Sequence, residues 1–231
     1  MELSNRLKAI ADMVTVGNQV ADVGCDHGFV SIYLCEKKIS PKVYAMDVRK
    51  GPLMRAIEHV EAYGYGSYIE CRLSDGVANL KAGEADTLIC AGMGGRLMAK
   101  ILTDGMEKIK MMQELILQPQ SDLAFFRGFL RENGFAIVKE DMVKEDGKYY
   151  PMMRVLPDSA YTEGGFPVEL EDAYGPCLLK MKHPVLGEYL KTLYQRNEGI
   201  LVRLGEAGED RRQELLREQE GIRFCLSYFT D

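Results

Sequence analysis

The segment Val20-Ala21-Asp22-Val23-Gly24-Cys25-Asp26-His27-Gly28 constrains the fold more than any other part of the chain. Apolar residues lead into an acidic one, two glycines follow four positions apart, and the run Phe29 to Cys35 has helical character. The pattern is a strand whose C-terminal end feeds a tight turn and then a helix. Glycine in such a turn adopts φ > 0 without strain and lets a ligand approach the backbone. A phosphate-binding version would read G-x-G-x-x-G, with the helix N-terminus aimed at pyrophosphate. Here the turn reads D-x-G-x-D-x-G, which sets two carboxylates where phosphates would sit. Carboxylates repel pyrophosphate and suit a cation. S-adenosyl-L-methionine carries a sulfonium, an ammonium and no phosphate, so the turn favours it over NAD. Taken alone, the motif also fits any doubly wound α/β domain with a glycine turn.

Three further strand ends extend the pattern. Lys42 to Asp47 is an apolar run closing on an acid, placed where a carboxylate accepts from both ribose hydroxyls. The plainer reading of Asp47 is a cap on the helix that includes Pro52 to Tyr63. Tyr68 to Leu73 leads into Ser74-Asp75-Gly76, a third acid at a strand end, able to accept from an adenine amino group. Open α/β sheets bind ligands outside those ends. The run Ala85 to Ala91 is followed by Gly92-Met93-Gly94-Gly95-Arg96, which leaves bare backbone where a methyl acceptor would lie. Leu115 to Leu117 runs into Gln118-Pro119-Gln120, and the next helix takes its buried face from Phe125, Phe126, Phe129 and Leu130. Phe135 to Val143 and Tyr149 to Val155, joined through Asp146-Gly147, read as a hairpin. A parallel α/β sheet finished by an antiparallel hairpin resembles the class I, Rossmann-like methyltransferases.

The motifs A-D-V-G-C-D-H-G-F at 21–29, G-P-L at 51–53, S-D-G at 74–76, I-C-A-G-M-G-G at 89–95, L-Q-P-Q at 117–120 and the Tyr149-Tyr150 hairpin resemble one family across essentially the whole chain. It is the bacterial TrmK-type tRNA methyltransferase family, which methylates N1 of adenine 22. The family pattern leads one to expect Pro near Ser31, Asn in place of Gln120 and Glu in place of Asp47. The Asp47 change keeps the carboxylate; Gln120 keeps the amide and lengthens its reach.

With that resemblance, the cofactor-binding candidates are Asp22, Gly24, Asp26, His27, Gly28, Asp47, Val48, Ser74, Asp75, Gly76, Gly92, Met93 and Gly94. The substrate-binding candidates are Arg6, Lys50, Gly95, Arg96, Gln118, Pro119, Gln120, Tyr149 and Tyr150. Asp26 is the catalytic candidate. It either compensates the charge that the base acquires on N1 alkylation or orients the methionine end of the cofactor. His27 at a helix start reads as a packing or capping group. Tyr149 and Tyr150 are either a stacking platform or packed strand residues.

Composition bounds the rest. The 231 residues, 46% of them hydrophobic, suffice for one sizeable core, and no apolar run approaches the roughly eighteen residues of a membrane span. Met1 to Val14 is amphipathic, with Leu3, Leu7, Ile10 and Val14 on one side, and does not read as a signal peptide. Six cysteines without a C-x-x-C pair argue against zinc or a disulfide framework and point to a reducing cytoplasm. No metal is expected. A net charge of −6 is awkward for an RNA enzyme. Residues 1–156 hold 20 Lys and Arg against 21 Asp and Glu, so the acidity lies mostly beyond them. Arg6, Lys8, Lys50 and Arg96 are expected beside the cofactor mouth, where they either meet phosphates or are ordinary solvated charges.

The expected domains are a catalytic, cofactor-binding domain over 1–160 and a helical domain over 161–231, with the boundary in the Gly- and Pro-containing stretch 160–167. Glu169 to Lys182 reads as one short helix. A coiled-coil-like hairpin follows: one helix opens at His183-Pro184, and another carries Leu215 to Phe229 after a turn at 205–208. The hairpin either helps seat tRNA or serves packing or dimerisation; a monomer is the expectation, with a dimer left open. Besides tRNA adenine-N1 methylation, two alternatives stand: the same cofactor chemistry on a small molecule or protein, and a non-catalytic binding module.

Overall fold

The structure is a computed structural model describing residues 1–159, 164–204 and 208–229. The chain divides into two compact units, Met1–Thr162 and Glu163–Asp231. Residues 160–163 of the expected boundary and 205–207 of the expected turn lie outside the described residues.

In the first unit, helix α1 (Asn5–Ala11) starts at Ser4, whose hydroxyl accepts from the Leu7 amide at 3.4 Å. It buries Ile10 and Ala11 and precedes β1 (Val20–Val23), α2 (Phe29–Glu36), β2 (Val43–Asp47), α3 (Lys50–Ala62) and β3 (Ile69–Leu73). Then come β4 (Thr87–Gly94), α4 (Gly95–Asp104), α5 (Met106–Ile109), β5 (Glu114–Ser121), α6 (Leu123–Glu132), β6 (Phe135–Glu145) and β7 (Lys148–Pro157). Among the described residues they form one seven-stranded sheet, ordered β3-β2-β1-β4-β5-β7-β6. The first five strands run parallel, and β7 is antiparallel to both β5 and β6. β1 and β2 are buried along their whole length, as the continuous apolar runs of a two-sided parallel sheet require. The hairpin turn has Asp146 at φ 49° and Gly147 at φ 73°, the double positive φ that Asp-Gly accommodates.

Two strands outrun their sequence signals. β4 continues through Gly92-Met93-Gly94, and β5 through Gln118-Pro119-Gln120-Ser121. The two stay paired there across irregularities in register, while β7 pairs with β5 only at Leu115 to Leu117. Pro119 therefore sits where one side of β5 is an edge, a position that tolerates a missing amide donor.

The face expected of α6 is corrected. Phe126 and Leu130 are buried, but Phe125 is 43% exposed, and Arg127 takes a buried place through an ion pair with Glu140 at 3.0 Å. At the other end of the sheet, buried Glu114 accepts from the Thr15 amide at 2.8 Å and the Thr87 hydroxyl at 2.9 Å, and lies 2.6 Å from Arg154. That network ties the approach to β1 to β4, β5 and β7.

In the second unit the expected single helix is two, α7 (Val168–Tyr174) and α8 (Pro176–Lys180), because Gly175 at φ 96° breaks the run just before a proline. Helix α9 (Pro184–Arg203) opens at Pro184, and α10 (Glu209–Ser227) packs against it. Leu186, Leu190, Leu193, Leu215, Ile222 and Cys225 are buried. No helix among the described residues is long and apolar enough to cross a membrane.

Candidate active site

The strand order reverses between β1 and β4, and the crevice beyond that point is where ligands of open α/β sheets bind. A cleft of about 450 Å³ opens there, within the roughly 300–1,000 Å³ of small-molecule sites. It is lined by Asp22 of β1, Gly24, Asp26 and His27 of the β1–α2 turn, Asp47 at the end of β2, and Val48 and Arg49 after it. Ser74, Asp75 and Gly76 after β3, and Ala91, Gly92 and Met93 of β4, complete the rim.

The first turn is shaped by left-handed backbone at Gly24 (φ 75°), Asp26 (φ 48°) and Gly28 (φ 74°). A side chain at Gly24 would meet the methyl end of Met93, and one at Gly28 would come within 3.2 Å of Ala56 on α3. Gly28 thus serves helix packing and stands outside the lining. Asp26, held in a conformation that costs a non-glycine residue free energy, presents an exposed carboxylate 3.6 Å from His27 Nε2. His59 Nδ1 donates to the His27 carbonyl at 2.9 Å, and the rings of His27, Phe29 and His59 stack, so α3 braces the turn that carries Asp26.

Asp22 is 5% exposed, and burial pushes its carboxyl up to about 6, against the Ser31 hydroxyl, which donates to it at 2.7 Å and holds it down. The nearby Asp47 carboxylate adds to the upward push. Ser31, where the family pattern led one to expect Pro, is thus a partner of the buried acid. Asp47, 4% exposed, accepts from the Arg49 amide at 2.8 Å and so fastens the β2–α3 turn instead of capping the helix directly. A carboxylate has about four acceptor sites, and one amide leaves capacity for a ribose. Ser74 donates to the Gly76 carbonyl at 2.9 Å and accepts from the Asn79 amide at 3.1 Å, which sets the turn bearing the exposed Asp75.

The acceptor side is built from α1, β5 and β7. Arg6 lines the cleft, donates to the buried Gln118 side chain at 3.0 Å and lies 5.2 Å over the Tyr150 ring. Gln120 also lines the cleft, and space above Gly92 is bordered by Arg6 and Gln120 at 3.7 Å. Lys50, Gln118, Pro119, Tyr149, Tyr150, Gly94, Gly95 and Arg96 stand outside the lining. Lys8 is turned elsewhere and pairs with Asp12 at 2.6 Å. The bare backbone expected at Gly94 and Gly95 is filled by protein. A Cβ at Gly94 would be 2.9 Å from Ser121 Oγ, and one at Gly95 2.8 Å from the Ser121 carbonyl and 3.0 Å from Phe126. Sequence reading missed Leu7, Phe29, Arg49, Leu97 and Ile101 as lining residues. Arg49 had a signal, two residues past Asp47; Leu7 and Ile101 line the cleft only through helix packing.

The donor set suits a cationic nucleoside. Asp22, Asp26, Asp47 and Asp75 converge on one cleft, and no Lys or Arg pairs with Asp22 among the described residues. A buried acid without a cation is an unfilled demand for one. No group of three or more His, Cys, Asp or Glu placed to hold a metal occurs among the described residues.

This sheet order and cleft define a methyltransferase of the Rossmann-like class, and a family model described as a methyltransferase domain matches residues 3–153. The tRNA (adenine(22)-N(1))-methyltransferase of Bacillus subtilis (strain 168) is 32% identical over 212 residues, covering 90% of this chain and 88% of that protein. The crystal structure of the B. subtilis M1A22 tRNA methyltransferase TrmK superposes with a TM-score of 0.87 at 28% identity, covering 97% of this chain and 99% of that one. Streptococcus pneumoniae Sp1610 in complex with S-adenosyl-L-methionine gives 0.87 at 31% identity, covering 97% of this chain and 100% of that one. The chain belongs to the tRNA (adenine(22)-N(1))-methyltransferase family.

Proposed function

We propose that this protein transfers a methyl group from S-adenosyl-L-methionine to N1 of adenine 22 in tRNA, as its B. subtilis relative is named for doing. The observation that carries the reading is the convergence of four aspartates, one of them buried without a basic partner, on a cleft at the switch point of the sheet. S-adenosyl-L-methionine, when bound, supplies an electrophilic methyl group on a sulfonium. Asp47 would hold the ribose hydroxyls, the Ser74–Gly76 turn the adenine edge, and Asp22 with the Gly24 backbone the cationic amino-acid end.

Adenine N1 carries its lone pair in the ring plane, so no strong base is asked of the protein. What is asked is alignment, which supplies roughly 7–11 kcal/mol of a bimolecular barrier. It must also answer the positive charge appearing on the base, and Asp26, braced from α3 and exposed at the mouth, is the group for that. N1 lies on the pairing edge, so the target base has to leave its stack, at a cost of a few kcal/mol. Arg6 and Gln120 line the side that would receive it, with Gln118 and Tyr150 behind Arg6 and holding it in place. The reading assigns the protein to the cytoplasm, in keeping with six free thiols.

The test is methyl transfer from labelled cofactor to unmodified tRNA, with identification of the product nucleoside and Asp26→Asn alongside. We expect 1-methyladenosine from the parent, and transfer reduced by 10²-fold or more in the variant with cofactor affinity kept, on the order of a lost transition-state partner. Cofactor binding without methylation of any tRNA would overturn the substrate and turn attention to small molecules.

A further inference from the structure

Beside the cleft lies a pair of side chains that the cofactor and acceptor walls do not use. Arg96 is the second residue of α4, one residue before the cleft-lining Leu97. Its guanidinium carbon lies 4.6 Å from the centre of the Phe125 ring, and its Nε donates to Asp122 at 3.1 Å. Both members are open to solvent: Arg96 is 71% exposed and Phe125, as noted, is half out of the core that its helical spacing predicts for it.

The arrangement is held rigidly. Asp122 stands at φ 53° before α6, with Ser121 donating to its other oxygen at 2.8 Å. The Ser121–Asp122 turn packs its backbone so closely on Gly95 that no side chain fits there, and the Ser121 hydroxyl lies against Gly94. A strained non-glycine residue, a carboxylate that bridges Ser121 and Arg96, and the packed Gly95 therefore combine to fix one arginine over one ring next to the cleft-lining Leu97. Asp122 neutralises the arginine, so the pair offers a flat π surface more than a free positive charge. Flat guanidinium and aromatic faces are what unstacked bases settle on.

Resting on the tRNA reading above, we propose that the Arg96–Phe125 pair is the stacking platform for a nucleobase adjoining the methylated adenine. Turning the target out of its stack leaves its neighbour with an uncovered face, and the platform covers that face at the rim while the target enters the cleft. Arg96 was a candidate phosphate contact from sequence; its ion pair with Asp122 gives it the other role. Phe125 becomes a positioning residue for the substrate strand.

The experiment measures kcat and KM for tRNA, cofactor affinity, and the salt dependence of tRNA binding in Phe125→Ala, Phe125→Tyr and Arg96→Lys. We expect Phe125→Ala and Arg96→Lys to raise KM for tRNA by roughly 5- to 150-fold, the range carried by one base stack. Turnover at saturating tRNA and cofactor affinity should hold, and Phe125→Tyr should restore KM. Lysine keeps the charge and loses the plane, so a stacked arginine is not replaced by it. The slope of log affinity against log salt should stay unchanged, whereas a lost phosphate contact lowers it by roughly 0.7–0.9. Full activity of Arg96→Lys, or an unchanged KM in Phe125→Ala, would overturn the platform while leaving the methyltransferase reading intact. A parent protein that neither binds nor methylates tRNA would overturn both.

Discussion

At the scale of single residues, Asp22 concentrates the conflict between folding and binding. Its carboxyl titrates at about 6 in the folded chain against an ordinary 3.8, chiefly because it is buried. A folded-state value above the unfolded one means that the native protein holds the proton more tightly. The stability this gives is fully present below pH 3.8 and is lost as pH rises through about 6. At pH 7 the ionised group costs on the order of 3 kcal/mol. Asp22→Asn should therefore be the more stable protein at pH 7.5 without ligand, by about 1–3 kcal/mol, and the difference from the parent should vanish as pH falls to 4. Urea unfolding across that range checks it, and a variant less stable than the parent at pH 7.5 would refute it. The functional counterpart concerns ligand. A cation beside Asp22 removes the penalty, so S-adenosyl-L-methionine should raise the parent's Tm more at pH 7.5 than at pH 5. In Asp22→Asn that growth with pH should disappear. A carboxylate kept buried at such a cost is retained for what it binds.

At the scale of elements, a glycine in the first turn of a helix does different work from one in a helix interior. Gly95 lies 2.8 Å, by its would-be Cβ, from a backbone carbonyl that cannot step aside, whereas Gly199 inside α9 has nothing within 4 Å. Gly95→Ala should lose roughly 1–3 kcal/mol by overpacking, with tRNA methylation falling further as the β4–α4 and β5–α6 turns separate. Gly199→Ala should gain about 0.5–1 kcal/mol, the helix-interior difference between the two residues. Denaturant midpoints with unchanged m-values would settle both signs. This contrast also shows what sequence can tell about elements. The three acidic strand ends and the Asp146-Gly147 hairpin were legible because each depends on local chemistry: strand period, turn φ, and an acid at the turn. β4 and β5 were cut short at Gly92 and Gln118 because their continued pairing is a tertiary event that no local signal announces. Phe125 was assigned to the core because helical spacing cannot distinguish a ring packed inside from one covered by an arginine 29 residues earlier in the chain. The purposes of Gly94 and Gly95 were misread for the same reason: what fills the space above them, Ser121 and Phe126, comes from another βα unit.

At the scale of the whole molecule, the net charge of −6 has to be reconciled with a polyanionic substrate. Most of that excess lies beyond residue 156, and the cleft itself is lined by four aspartates. Among the described residues, exposed basic groups that carry on from the cleft lining form a short arc: Arg49 in the lining, 3.7 Å from Asp47, then Lys50 and Arg55 on α3. Arg6 is engaged with Gln118 and Tyr150, and Arg96 with Asp122. Three phosphate contacts give a slope of log affinity against log salt of only about −2 to −3, at roughly 0.7–0.9 per contact. Affinity built on so little charge must come from shape, from stacking and from the cavity that receives the base, which selects a folded RNA over a generic duplex. The prediction is a shallow salt dependence for tRNA binding between 50 and 200 mM salt, a loss of about 16- to 64-fold. Arg49→Ala should reduce the slope by about one contact's worth. A slope near −8 would overturn this and call for further phosphate contacts, with the exposed arginines of α10, Arg212 and Arg217 among them, as the next to substitute.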